Sequence, residues 1–377
     1  MTRIRSLQTA QRARTLLIVA SAIGAPTLPL HAQLSFRFVD QDPIAPNALN
    51  APGASIDAKM MAGIEQAAQR WSSLFSNHVT LSIDVNFKPL ADGVIASTNW
   101  TPDFVSYSAV RNALVSHAST NVAREAAASL PNGSSFALVT NHTQQDPNAG
   151  GKAPYIDNNG SANNSTICLT QGDARALSLF SATSDSIDAT ITFNSNYATR
   201  FDFDPSDGIS GGQLDFVGTA THELGHALGF TSGIDTLDFY ARTSTLPEDA
   251  LPDVTALDLF RYSALSHTDH AIDWSADSRT KYFSIDGGKT PLAFFSTGEH
   301  FGDGGQASHW EQGVTLGIMD PDSDFGEKLS ISSVDRTAFN VIGWNFSSVP
   351  EPETYGWAAL GALALVAWRR KRLDRKN

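Results

Sequence analysis

A single cysteine, Cys168, stands in 377 residues, so no intramolecular disulfide can form. Export ordinarily favours disulfides, and an exported chain built this way must rely on its core and on any metal it holds. The thiol sits in Ile167-Cys168-Leu169 with no propeptide-switch motif around it, and it reads as a buried apolar residue. Positive charge is scarce too. The chain has 26 Lys and Arg against 39 Asp and Glu, a formal charge of −13. Ten of the basic residues and one of the acidic ones lie in residues 1–32 and 369–377, so residues 33–368 carry 16 against 38, a net of −22. Such a body repels nucleic acid and anionic lipid, and it suits a soluble exported protein. Long apolar runs are also missing. The stretch Tyr355–Trp368 has 14 residues, about 21 Å of helix, short of the roughly 20 residues that span a bilayer comfortably. No internal repeat stands out.

Apolar residues make up 41% and there are seven tryptophans, enough for a sizeable core in two ordinary domains or one large two-lobed one. The chain is organised around Thr221-His222-Glu223-Leu224-Gly225-His226-Ala227-Leu228-Gly229-Phe230. On a helix, His222 and His226 leave the same face one turn apart. Their neutral ring nitrogens can then share one Zn²⁺ at roughly 2.0–2.1 Å. Glu223 can lie beside the metal without ligating it and take a proton from water. Leu214, Val217, Thr221, Leu224 and Leu228 recur at helical steps as a core stripe. Gly229 supplies a stop.

The run His-Glu-x-x-His-Ala-Leu-Gly-Phe resembles the active-site helix of metzincin zinc proteases, and its Ala-Leu-Gly-Phe ending resembles the leishmanolysin-like branch. The usual metzincin pattern has a third histidine three residues after the glycine. Here that position is Ser232, a poor ligand. The leishmanolysin-like branch delays its third histidine to a His-Trp pair, which His309-Trp310 resembles, and Met319 in Leu316-Gly317-Ile318-Met319-Asp320-Pro321 resembles the methionine turn. The resemblance thus implies zinc held by His222, His226 and His309, with Glu223 as general base and the water pKa lowered to about 7. His300, nine residues before His309, is the competing ligand. His267 and His270 lie in a polar stretch and read as solvated. Asp235 is offset too far from Gly229 for short-spacer proteases. Glu248 is near the distance thermolysin-like enzymes use, but Pro247 stands where those enzymes need a helix.

Both ends read as processing signals. Arg3, Arg5, Arg12 and Arg14 precede an apolar run and Leu30-His31-Ala32, which makes residues 1–32 a signal peptide. Val349-Pro350-Glu351-Pro352-Glu353, the apolar 355–368 segment and Arg369-Arg370-Lys371-Arg372 resemble the PEP-CTERM sorting signal of Gram-negative bacteria. By that resemblance residues 349–377 are a transient inner-membrane anchor, a transmembrane helix cut by an exosortase-type enzyme on the way to the cell surface or extracellular matrix, with a permanent short anchor whose basic residues stay inside as the alternative.

In between, alternation predicts strands over 33–40, 79–87, 135–140 and 185–194. Helical spacing predicts helices over 57–75, 107–130 and 332–344, and 141–165 reads as a long surface loop. In metzincins the strand just before the zinc helix borders the cleft, so the resemblance makes Ala189, Ile191 and Phe193 the substrate edge, with an ordinary buried strand as the alternative. Asp202–Gly208 begins like a calcium loop, but its glycine is one place late and the twelfth position lacks glutamate. It reads as an acidic turn, with weak Ca²⁺ binding as the alternative.

The expectation is therefore one α+β metzincin-like zinc protease domain over residues 33–345. Its mixed-sheet upper lobe covers about 33–230 and its irregular lower lobe about 231–345. The implied function is an exported zinc endopeptidase acting on proteins or peptides. A catalytically silent surface or matrix protein, and a zinc hydrolase of a non-peptide amide or ester, are the rival classes.

Overall fold

The computed structural model describes residues 34–39 and 53–347, apart from 148–150, 181–185, 244–245, 248–250 and 314. The signal peptide, Glu248 and the sorting tail with its apolar segment lie outside the described residues. The chain divides into Met1–His31 and Ala32–Asn377, and everything below belongs to the second unit.

The described chain is α+β with several small sheets. It begins β1 (Ser35–Val39), α1 (Gly53–Leu74), β2 (Thr80–Lys88), β3 (Ala96–Trp100), β4 (Pro102–Ser106), α2 (Tyr107–His117) and α3 (Asn121–Ser129). Then come β5 (Leu138–Thr140), β6 (Tyr155–Asp157), α4 (Ala162–Ser165), β7 (Thr166–Thr170), α5 (Gln171–Ala176) and β8 (Ala189–Asn194). The largest sheet has the order β1-β2-β8-β3, parallel except for β3, which runs antiparallel to β8. Residues 81–87 of β2 are all buried, as in strands covered on both faces. In α1, Met60, Ile64, Ala67 and Trp71 form one buried stripe, and Trp71 Nε1 donates to the Thr221 carbonyl at 2.9 Å.

Two expectations change here. The helix expected over 107–130 is two, because Thr120 takes extended backbone and its hydroxyl accepts from Ala123 N at 3.0 Å, capping a new helix. The loop expected over 141–165 contains β6 and α4. Two of its asparagines face inward: Asn163 donates to Asp157 Oδ2 at 2.9 Å and Asn164 to the Phe136 carbonyl at 3.1 Å, so part of the polar composition here satisfies buried polar groups, while Asn158 and Asn159 face water.

After β9 (Phe201–Asp202) and β10 (Leu214–Asp215) comes α6 (Phe216–Ala227), the histidine helix. Beyond it lie α7 (Ile234–Tyr240), β11 (Arg261–Tyr262), α8 (Ala264–Thr268), β12 (Ile272–Asp273), β13 (Lys281–Phe283), β14 (Ala293–Phe295) and α9 (Ser333–Val341). Strands β11, β13 and β14 form their own antiparallel sheet, whereas β12 pairs with β5 of the N-terminal half. Chain segments on either side of residue 230 are thus laced together. Beneath α6, the buried rings of Trp71, Phe230, Trp310 and Phe339 pack edge to face, with centroids of Trp71 and Phe339 4.6 Å apart and of Phe230 and Trp310 4.9 Å apart. Among the described residues no helix is long and apolar enough to cross a membrane.

Candidate metal centre

Helix α6 is capped by Asp215, whose Oδ1 accepts from Gly218 N at 2.7 Å, and nearly every one of its residues is buried. It ends in a Schellman turn: Phe230 N donates to the Gly225 carbonyl at 3.1 Å and Gly229 N to the His226 carbonyl at 3.0 Å. Gly229 sits at φ +109°, and a Cβ there would meet the Asp173 carboxylate at 2.0 Å, so only glycine fits. The turn serves the site, because the Phe230 carbonyl it presents accepts a 2.7 Å bond from His226 Nδ1. His222 Nδ1 likewise donates to the Ile318 carbonyl at 2.7 Å.

A carbonyl can only accept, so both Nδ1 atoms carry a proton, and in the neutral form of each ring it is Nε2 that presents the lone pair. The Nε2 atoms of His222, His226 and His309 stand 3.0, 3.2 and 3.2 Å from one another. Donor-less nitrogens cannot bond each other, and leaving such groups buried without partners costs about 1–3 kcal/mol each. A shared cation removes that cost. Tetrahedral zinc at roughly 2.0–2.1 Å sets its nitrogens roughly 3.3 Å apart, so the triangle fits the ion. Burial, with His222 second, lowers the His226 pKa to about 3. Burial, then His226 and His222, holds His309 well below its ordinary value. Both are available as neutral ligands. Among the described residues no other group of three or more His, Cys, Asp or Glu converges in this way.

His309 reaches the triangle from 83 residues away because its segment is clamped. Asp235 Oδ1 accepts from Ala307 N at 2.6 Å, and its Oδ2 accepts from Ser308 N at 3.2 Å and from the Ser308 hydroxyl. Burial raises Asp235 to about 6. On the other side, Asp335 Oδ1 accepts from Trp310 Nε1 and its Oδ2 from Ile318 N, both at 2.8 Å. One carboxylate at the start of α9 thus fixes both the His309-Trp310 step and the carbonyl that orients His222. Met319 lies under Gly225, where a Cβ would stand 2.4 Å from its Sδ.

Glu223 is 4% exposed and is not one of the converging group. Its Oε2 accepts from the Thr98 hydroxyl at 2.6 Å. Burial raises its pKa, with His222 and the Thr98 bond pulling the other way. These groups line a cleft of about 530 Å³ whose long wall is Gly93–Trp100.

The remaining candidates lie elsewhere. His300 Nδ1 is 2.8 Å from Asp238 Oδ2, His267 Nδ1 bonds the Gly287 carbonyl at 3.0 Å, and His270 is exposed. Ser232 donates to Asp258 at 2.6 Å. Cys168 is buried, and its pKa is pushed up to about 12, first by burial. The Asp202 and Asp204 carboxylates accept from Asp204 N and Ser206 N at 3.1 Å, closing their own turn. The substrate edge expected at Ala189, Ile191 and Phe193 is corrected: β8 is bonded on both sides, by β2 and β3, and these three side chains are buried. Among the described residues, the strand at the sheet's edge beside the cleft is β3. Sequence reasoning also missed Thr98, Asp335 and the clamping role of Asp235. Only Asp335 had a legible signal, as the third residue of a capping box opened by Ser332.

Comparison with known families finds the PEP-CTERM protein-sorting motif over residues 348–372. The tail is a PEP-CTERM sorting signal. It marks the protein for exosortase-type processing and export to the surface of a Gram-negative cell. The match covers the tail alone, and no curated protein and no solved structure matches the chain. Replacing Pro350-Glu351-Pro352 is expected to leave the chain uncut and in the inner membrane, read by fractionation and immunoblot of the native host. Normal release of that variant would mean that the processing enzyme does not read the motif.

Proposed function

We propose that the exported body is a zinc endopeptidase with a metzincin-like, two-lobed site of the leishmanolysin-like kind. The observation that carries this reading is the triangle of Nε2 lone pairs beside a buried, non-ligating carboxylate. His222, His226 and His309 hold the ion; when bound, zinc supplies Lewis acidity that acidifies water and polarises a scissile carbonyl. Glu223 takes the proton from the attacking water and passes it to the leaving amine. The free edge of β3 is where an extended peptide adds as a further strand, so main-chain hydrogen bonds supply binding along the cleft.

Metal analysis paired with digestion tests this reading. The mature chain is expected to hold one zinc and to cleave casein, with loss of both on chelation. A zinc-free chain would make it a silent surface protein, and ester hydrolysis without casein cleavage would move it to the non-peptide hydrolases.

A further inference from the structure

Glu223 has one side-chain partner among the described residues, and it comes from outside its own helix. The Thr98 hydroxyl lies 2.6 Å from Glu223 Oε2 and 3.0 Å from the Glu223 carbonyl oxygen. A hydroxyl has one proton, and the shorter, charge-assisted contact takes it. Oε2 is therefore committed, while Oε1 has no protein donor among the described residues. Thr98 itself is placed by the ladder between β3 and β8, opposite Ile191. Its neighbours Ser97, Asn99 and Trp100 line the cleft.

We propose that Thr98 is the positioning residue of the general base: its hydroxyl holds Glu223 through Oε2, leaves Oε1 to receive the proton, and ties the carboxylate to the strand along which the peptide lies. The proposal rests on the peptidase reading above. Its consequence is a split between binding and turnover. The hydroxyl bonds Glu223 and none of the three histidines, so removing it releases the base while leaving the ligands and the backbone of β3 in place. A carboxylate free to rotate spends much of its time misdirected, and misplacement of about 1 Å costs on the order of 100-fold in rate.

The test compares Thr98→Val, which keeps the β-branch and shape, with Thr98→Ser, which keeps the hydroxyl, in the zinc-loaded chain. Thr98→Ala is the second deletion, in case valine disturbs β3. The deletions are expected to retain one zinc and a KM within about twofold, while kcat falls on the order of 10- to 100-fold. Serine is expected to restore kcat to within about threefold of wild type. Wild-type kcat in both deletions, a serine variant as slow as valine, or a loss of zinc would each overturn the proposal. Crystal structures of the same proteins separate its failure from that of the peptidase reading. Should the wild type bind zinc yet cleave no peptide, a single Glu223 rotamer on Thr98 in the wild type and several in Thr98→Val still support the positioning role. One unchanged rotamer in Thr98→Val overturns it.

Discussion

Glu223→Gln is expected to keep one zinc per chain and to lose peptide hydrolysis by about 100- to 10,000-fold, the range that general acid–base groups contribute. The substitution changes little besides basicity. Glutamine has nearly the shape of glutamate, its carbonyl oxygen can still accept from the Thr98 hydroxyl, whose oxygen lies 2.6 Å from Oε2, and the three histidines keep their own Nδ1 partners on the Ile318 and Phe230 carbonyls and near Gln306. What is lost is the atom that takes a proton. Glu223 is buried, and among the described residues no other carboxylate converges on the histidine triangle. Elemental analysis and a fluorogenic peptide assay on the same preparation check both halves. Turnover near the wild-type rate would remove Glu223 as the base while leaving the metal site intact.

How much of this was legible in the sequence follows the range of each signal. Strands β1, β2 and β8 and helices α1 and α9 are long enough for a period of two or 3.6 to declare itself, and their sequence-based spans lie close to the observed ones. Strands of two or three residues, such as β11 and β12, hold too few side chains for any period. The histidine pair was legible because spacing of four within one helix is local chemistry. His309 was reached by resemblance alone. The forces that deliver it are Asp235 and Asp335 acting across 72 to 73 and 16 to 25 residues, and no short window of sequence contains them.

The error over the substrate edge has the same root. Ala189, Ile191 and Phe193 correctly announce a strand with one buried face, but alternation says nothing about which neighbour pairs on either side. That was decided by β3, whose sequence Ala-Ser-Thr-Asn-Trp has no apolar alternation and passes for a loop. The same polar strand hides Thr98. Strand position in a sheet, rather than strand content, was the missing information.

His309→Ala is expected to lose zinc and activity together. Two histidines on one helix supply two corners of a tetrahedron, and the residue at the usual third position, Ser232, is turned away onto Asp258 at 2.6 Å. Nothing else among the described residues converges on the pair. Removing an entire ligand must weaken binding by more than the roughly 10- to 100-fold that loss of an outer-shell partner costs, so zinc should be stripped by gel filtration. His300→Ala provides the contrast. Its ring bonds Asp238 Oδ2 at 2.8 Å, outside the histidine triangle, and its loss should leave metal content and cleavage near wild type. His267→Ala and His270→Ala should behave likewise, since one ring bonds the Gly287 carbonyl and the other is exposed. If His309→Ala retained tight stoichiometric zinc while His300→Ala lost it, the ion would be held by a different triangle. The clamp of Asp235 and Asp335 on the 307–318 segment would then need another purpose.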